Sequence, residues 1–304
     1  MKENAVSDKR VLVIGDVMTD IIVKPEGQLA LGTDRRAIIR SLPGGSGANQ
    51  ALWLAHFGMV VSFAAKIGQG DLAGYSEMLR HRGVTSRLAG DPDLPTGMLV
   101  TILDADGQRS FFTDRGANET LDRSDLPDDL LDGVALLHVS GYALFAERPR
   151  AALRALMATA RQRRITVTND PASIAFLEEV GPAAFLDWTK DAAICFPNAD
   201  EAAMLTGTMD HALQRQKLAA YYPLVVIKRG VEGAEIIGPG GTCLAQLPAP
   251  KVDVIDTTGA GDAFLAGYLT AHLAGASLDA CLRQGVAAGS IATTQLGGQP
   301  MAVR

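Results

Sequence analysis

Apolar positions along this chain alternate between two periods. Runs at 10–14, 60–66, 134–139, 165–168, 192–196 and 224–228 are mostly apolar and rich in β-branched residues. Runs of that length predict buried strands. Between them, apolar residues recur at helical spacing. The segment 51–57 stops at Gly58 and 74–82 stops at Gly83, while 147–164 forms a longer helical stretch. A further helix opens behind Asn198 with Ala202, Met204 and Leu205, and 277–294 carries Ser277 at a natural N-cap. The alternation predicts an α/β fold, a right-handed, doubly wound and mainly parallel sheet flanked by helices.

One region breaks the rhythm. Ile21-Ile-Val23 and Ala37-Ile-Ile39 are short β-type runs separated by Pro, Gly and charge. Much later, 97–103 and 109–113 flank Asp104-Ala-Asp-Gly107, whose Asp-Gly pair signals a hairpin. These segments predict a small antiparallel sheet at 21–40 and 96–115, apart from an α/β core at 1–20, 41–95 and 116–304.

Composition narrows the class. With 304 residues, 47 % apolar and 20 % charged, the chain buries a sizeable core and is not extended disorder. A net charge of −6 offers no basic excess for nucleic acid. Cys195, Cys243 and Cys281 lie far apart with no C-x-x-C pair, which argues against a disulfide framework or structural zinc. No run reaches membrane-spanning length and the first ten residues are polar. The expectation is a cytoplasmic protein with no membrane or nucleic-acid partner.

Candidate chemistry concentrates between Val252 and Leu273. A β-branched run (Val252, Val254, Ile255) reaches the turn Thr257-Thr-Gly-Ala-Gly261, and Phe264, Leu265, Tyr268, Leu269 and Leu273 follow at helical spacing. Gly259 and Gly261 let main-chain N–H groups approach a ligand, and a helix N-terminus suits phosphate. Asp262, in the first turn, faces the same space. A capped helix stabilised by Asp262 accounts for the same residues. Upstream, Gly15-Asp16-Val-Met-Thr-Asp20 sets two carboxylates beyond the first strand, at the edge where parallel sheets bind ligands. There is no G-x-G-x-x-G there. Asn198-Ala-Asp-Glu201 has the residue types of a capping box. Lys228 ends a strand, as a phosphate contact or a solvated lysine. Arg115 and Asn118 sit where they reach a site from the small sheet, although a lone Arg also pairs readily with a surface carboxylate.

Asp256-Thr-Thr-Gly-Ala-Gly-Asp-Ala-Phe264 resembles the C-terminal signature of the ribokinase-like (PfkB) carbohydrate kinase family. Leu42-Pro-Gly-Gly-Ser-Gly-Ala-Asn-Gln50 resembles its N-terminal signature, and Asn198-x-x-Glu201 its metal and triphosphate motif. The resemblance spans most of the chain. It implies ATP-dependent transfer of the γ-phosphoryl group to a hydroxyl of a small sugar, with Asp262 as general base and the backbone of Gly259, Ala260, Gly261 and Asp262 as anion hole. By the same resemblance Asp20, Gly44, Gly45 and Asn49 hold the sugar, with Arg115 and Asn118 reaching in from the lid side. Asn198, Lys228, Gly230, Gly233 and Thr258 line the nucleotide side with Gly259 and Gly261. Glu201 organises Mg²⁺ through water, and Asp256 holds a monovalent cation of the K⁺ type. The small sheet becomes a lid over the sugar, and its apolar face a homodimer interface. Two departures stand out: Ser46 occupies a position where many sugar kinases of the group have Lys, and no acidic residue lies near Tyr142. They keep open a nucleoside kinase of the same family; a non-catalytic sugar- or nucleotide-binding protein on the same fold is a further alternative, against which the intact Gly259-Ala-Gly-Asp262 argues.

Overall fold

The structure, a computed structural model, describes residues 9–28, 32–103 and 109–301. The Asp-Gly turn expected at 106–107 lies outside the described residues. Strand β1 (Arg10–Ile14) explains the layering. Val11 and Val13 join one apolar cluster and Leu12 and Ile14 another, because successive strand side chains point to opposite faces. Both faces then require a cover of helices.

One cover is built from α1 (Ser46–His56) and α2 (Leu72–His81) with the C-terminal pair α8 (Ala260–Leu273) and α9 (Leu278–Ala292). Helix α8 is buried continuously from Ala263 to Leu269, and Gly267 lets it lie directly against Gln284 and Ala288 of α9. The other cover comprises α3 (Glu147–Gln162), α4 (Ile174–Val180), α5 (Pro182–Thr189), α6 (Ala199–Thr206) and α7 (His211–Leu218).

The sheet between them also contains β4 (Val60–Gly68), β5 (Val84–Asp91), β8 (Val134–Ser140), β9 (Thr166–Asp170), β10 (Ile194–Cys195) and β11 (Leu224–Lys228). It ends in β12 (Ala234–Ile237) and β13 (Cys243–Leu247), and its nine strands run β13-β12-β11-β10-β9-β8-β1-β4-β5. Every pairing from β11 to β5 is parallel, and β12 and β13 add antiparallel pairings at one edge. The doubly wound α/β expectation holds.

The small sheet is assembled from β2 (Met18–Pro25), β3 (Ala37–Gly44), β6 (Gly97–Leu103) and β7 (Arg109–Asp114), in the order β3-β2-β6-β7. Its outer pairs are antiparallel, and the β2–β6 pair that joins them is parallel. The strands reach beyond 21–40. Asp20 therefore lies inside β2, opposite Leu42 and Leu99, rather than on the loop after β1.

The β-branched run at 252–255 forms no strand, and Val254 and Ile255 are exposed. Pro248 and Pro250 withdraw backbone donors on its approach, so β propensity finds no ladder to join. At 192–196 only Ile194 and Cys195 pair as a strand. Strand β5 and helices α4, α5 and α7 have no counterpart among the predicted elements. β5 reads V-T-S-R-L-A-G-D, with only Val84, Leu88 and Ala89 apolar, at a sheet edge, so the apolar signal is weak.

Candidate active site

The strand ends of the core sheet, the N-termini of α1 and α8 and one face of the small sheet enclose a cavity of about 1110 Å³. Three devices shape its centre. Gly259 caps α8 with φ 74°, and a Cβ there would collide with the backbone of Gly298, so loop 296–299 abuts the helix start. Behind that cap, the N–H groups of Gly261 and Asp262 meet no backbone carbonyl among the described residues, as expected for a first helical turn. At α1, Gly45 (φ 98°) passes so close to Asp16 and Val17 that a side chain would not fit, and Gly47 packs on Gly15. The two helix starts thereby face each other across the sheet edge.

Asp262 lies between them. Its Oδ1 accepts from Ser46 Oγ at 2.6 Å and from Gln50 Nε2 at 3.1 Å, and its Oδ2 from Asn49 Nδ2 at 3.2 Å. Burial pushes this carboxyl up to about 7, with the Ser46 bond opposing and the Asp170 charge assisting. Such a group exchanges a proton near neutrality.

Asp20 lines the cavity from the small sheet, and burial with the nearby Asp16 charge raises it to about 6. Gly44 lies against it so closely that a Cβ would strike the carboxylate. Asp16, 2 % exposed, binds Gly47 N–H through Oδ1 and pairs with Arg115 Nη1 at 3.0 Å through Oδ2. Arg115 rests 4.9 Å above the Tyr142 ring, and its buried Nη2 has no partner among the described residues. The lone-Arg reading, a surface pair, gives way to a buried one.

On the opposite side, Asn198 and Glu201 form a complete capping box: Asn198 Oδ1 accepts from Glu201 N–H, and Glu201 accepts from Asn198 N–H and Nδ2. Both also line the cavity. Burial raises Glu201 to about 7, opposed chiefly by Lys228. Lys228 sits between these groups, with Nζ near Gly261, and its charge favours ionised Asp170, Glu201 and Asp262. Gly230 and Gly233 both adopt positive φ at the turn between β11 and β12.

Of the residues singled out from sequence, Asp20, Gly45, Asn49, Arg115, Asn198, Glu201, Lys228, Gly230, Gly233 and the run Thr258–Asp262 all line this one cavity. Three do not. Asn118 is buried, with Oδ1 and Nδ2 bound to the Val17 backbone and Nδ2 also to Arg115 O, so it holds the β1–β2 junction rather than facing the space. Gly44 acts through Asp20. Asp256 accepts from Thr258 N–H and Oγ1 and from Gly297 N–H, and lines a separate 170 Å³ cavity that Asp20 shares. Sequence reasoning assigned no role to Gln50 or Asp170, which line or tie the centre of the site. Their signals were faint: Gln50 stands four residues after Ser46, and Asp170 ends β9.

Residues 8–303 match the pfkB family carbohydrate kinase. The chain belongs to that family. It is 30 % identical over 277 residues to the aminoimidazole riboside kinase of Salmonella typhimurium, covering 86 % of this chain and 80 % of the relative. It is 29 % identical over 280 residues to the cytidine kinase of Thermococcus kodakarensis, covering 90 % and 92 %. Among solved structures, a ribokinase II from E. coli in complex with ATP and Mg²⁺ superposes with TM-score 0.84 at 20 % identity over 95 % of this chain and 94 % of that one, which shows the shared fold. This PfkB chain is accordingly an ATP-dependent kinase whose acceptor is an alcohol group. No helix among the described residues is long and apolar enough to cross a membrane.

Proposed function

We propose that Asp262 is the general base of this kinase and that the acceptor is a small sugar, bound between Asp20, Asn49 and the small sheet. The observation that carries the reading is the placement of Asp262, poised near neutral pH in the same helical turn as the N–H groups that suit a phosphate. A hydroxyl is a weak nucleophile until its proton has somewhere to go. As its oxygen bonds the γ-phosphorus, the bond to the bridging oxygen breaks, ADP departs and the proton passes to Asp262. The Ala260 N–H donates to Thr257 O, which leaves the Gly261 and Asp262 N–H groups, with Lys228, to stabilise negative charge as it spreads over the transferring group.

ATP occupies the side formed by Asn198, the Gly230–Gly233 turn and Thr258. The donor set fits Mg²⁺ held through water: among the described residues no three carboxylate, His or Cys groups converge, and Glu201 is the buried acid beside the phosphate space. When bound, Mg²⁺ supplies neutralising charge to the phosphates. Asp256, fixed against Thr258 and Gly297, serves a K⁺-type ion beside the helix start. The small sheet acts as a lid, its first strand pair reaching beyond 21–40 and its second lying within 96–115, and excludes water that would otherwise consume ATP. Exposed Ile39 and Phe112, on the face turned away from the cavity, support a homodimer through that face, which sedimentation of the wild type against Phe112→Lys tests. The three free cysteines suit a reducing cytoplasm.

A nucleoside acceptor is the second reading. Ser46 and the aromatic Tyr142 in the acceptor space favour it, as do relatives named for riboside and cytidine substrates. A panel of pentoses, hexoses and nucleosides with coupled ADP detection decides. Acceptor-dependent ADP release identifies the class, whereas ATP binding without any acceptor-dependent turnover leaves a non-catalytic binding protein.

A further inference from the structure

Gln50 is fully buried, and its Nε2 faces three acceptors: Asp170 Oδ2 at 2.5 Å, Ser46 Oγ at 3.0 Å and Asp262 Oδ1 at 3.1 Å. An amide nitrogen has two protons. One goes to Asp170, and the other is shared by Asp262 and the Ser46 oxygen that itself donates to Asp262. Asp170 is 5 % exposed, and its second oxygen accepts from Gly141 N–H at 3.0 Å. One side chain on α1 therefore bridges a carboxylate at the end of β9 and a carboxylate at the start of α8. Nothing in the packing of three apolar elements demands that link, and two buried like charges beside one another are costly.

We propose that Gln50 and Asp170 are positioning residues of the phosphoryl transfer: the Gln50 amide locks the base Asp262 against a second buried carboxylate, whose charge draws the acceptor's proton onto Asp262. The inference rests on Asp262 being the base. Burial raises Asp170 as well, with Lys228, the Gly141 N–H and the Gln50 amide opposing; with Asp170 ionised, the bridged pair carries two negative charges before transfer and one after the proton reaches Asp262. Relief of that repulsion assists proton removal from the hydroxyl, while the Gln50 bond keeps Asp262 in one rotamer aimed at the acceptor. Other charged or ionisable groups facing the pair are Lys228 at the end of β11, Glu201 on α6, and Asp16, Arg115 and Tyr142 at the acceptor end. Lys228 opposes the effect of Asp170 on Asp262 and sets its upper limit.

The two variants act with opposite sign. Asp170→Asn removes a like charge and eases ionisation of Asp262. Gln50→Met removes a donor to the ionised form and hinders it. Carboxyl-labelled aspartate NMR on the full chain, with the Asp262 signal assigned by its loss in Asp262→Asn, reads both without any acceptor. The expected result is a midpoint lowered on the order of one pH unit in Asp170→Asn and raised in Gln50→Met. A midpoint unmoved in both, or displaced in the same direction in both, overturns the proposal. Should Asp170→Asn fail to fold, the Gln50→Met shift alone decides, and an unchanged midpoint there overturns it. Failure of the kinase reading shows separately, as absent acceptor-dependent ADP release from a protein in which both shifts occur.

Discussion

Ser46 and Asp262, 216 positions apart in the chain, meet through a 2.6 Å hydrogen bond from the serine hydroxyl to carboxylate Oδ1. That contact gives a physical meaning to the departure at Ser46. A lysine there would set a full positive charge near Asp262, whereas a hydroxyl stabilises the carboxylate only by hydrogen bonding. Ser46→Ala removes a donor to the ionised form. Its expected effect is an acid limb of the kcat–pH profile moved to higher pH, with a several-fold loss of turnover at pH 7. A profile superimposable on the wild type would remove Ser46 from the tuning of Asp262.

Asp262→Asn should cost at least roughly 10²-fold in turnover while acceptor and ATP still bind, as measured by ADP release and by calorimetry. It should also stabilise the protein, with a pH signature. Because burial raises Asp262 from 3.8 to about 7, the folded chain holds its proton where the unfolded chain has lost it. The stability this provides is present below pH 3.8 and is lost as pH rises through about 7. Thermal unfolding of the variant relative to wild type should gain on the order of 2–4 °C at pH 8 and less at pH 5. An equal difference at both pH values would contradict a buried, proton-holding carboxyl.

Gly259 and Gly261 make a paired test. Alanine at 259 must adopt φ 74° and enter the Gly298 backbone, so both melting temperature and turnover should fall. At 261 a Cβ meets only Lys228 Nζ, at 3.4 Å, an ordinary contact. Gly261→Ala should fold as the wild type does and raise the KM for ATP by intruding on the phosphate space. Unchanged ATP kinetics in Gly261→Ala would move the phosphates away from this turn.

Asp16 and Arg115 form a buried ion pair, 2 % and 10 % exposed at their side chains. Arg115→Met strands the Asp16 carboxylate and should destabilise the fold by about 3–5 kcal/mol in urea unfolding. The double variant Asp16→Asn, Arg115→Met should recover part of that loss and still show a raised acceptor KM, since the guanidinium over Tyr142 is gone. Equal stability of the single and double variants would show that the pair is not coupled.

The sequence by itself determined the layers and the two helix starts. Periodicity in β1, α8 and α9 follows from burial alone, so strand and helix were legible there, and the glycines at 45 and 259 marked turns that only a residue without Cβ completes. It also singled out candidate residues, because Asp262, Asn49 and Glu201 stand in short motifs that local geometry keeps together. Tertiary structure decided which of them meet. Gln50 joins Asp170 to Asp262 across three elements, Asn118 turns to the Val17 backbone instead of the cavity, and Asp20 belongs to a strand of the small sheet. None of these follows from spacing. Side-chain partners hundreds of residues apart are chosen by how the elements pack, and packing fixes the burial that raises the proton affinity of Asp262.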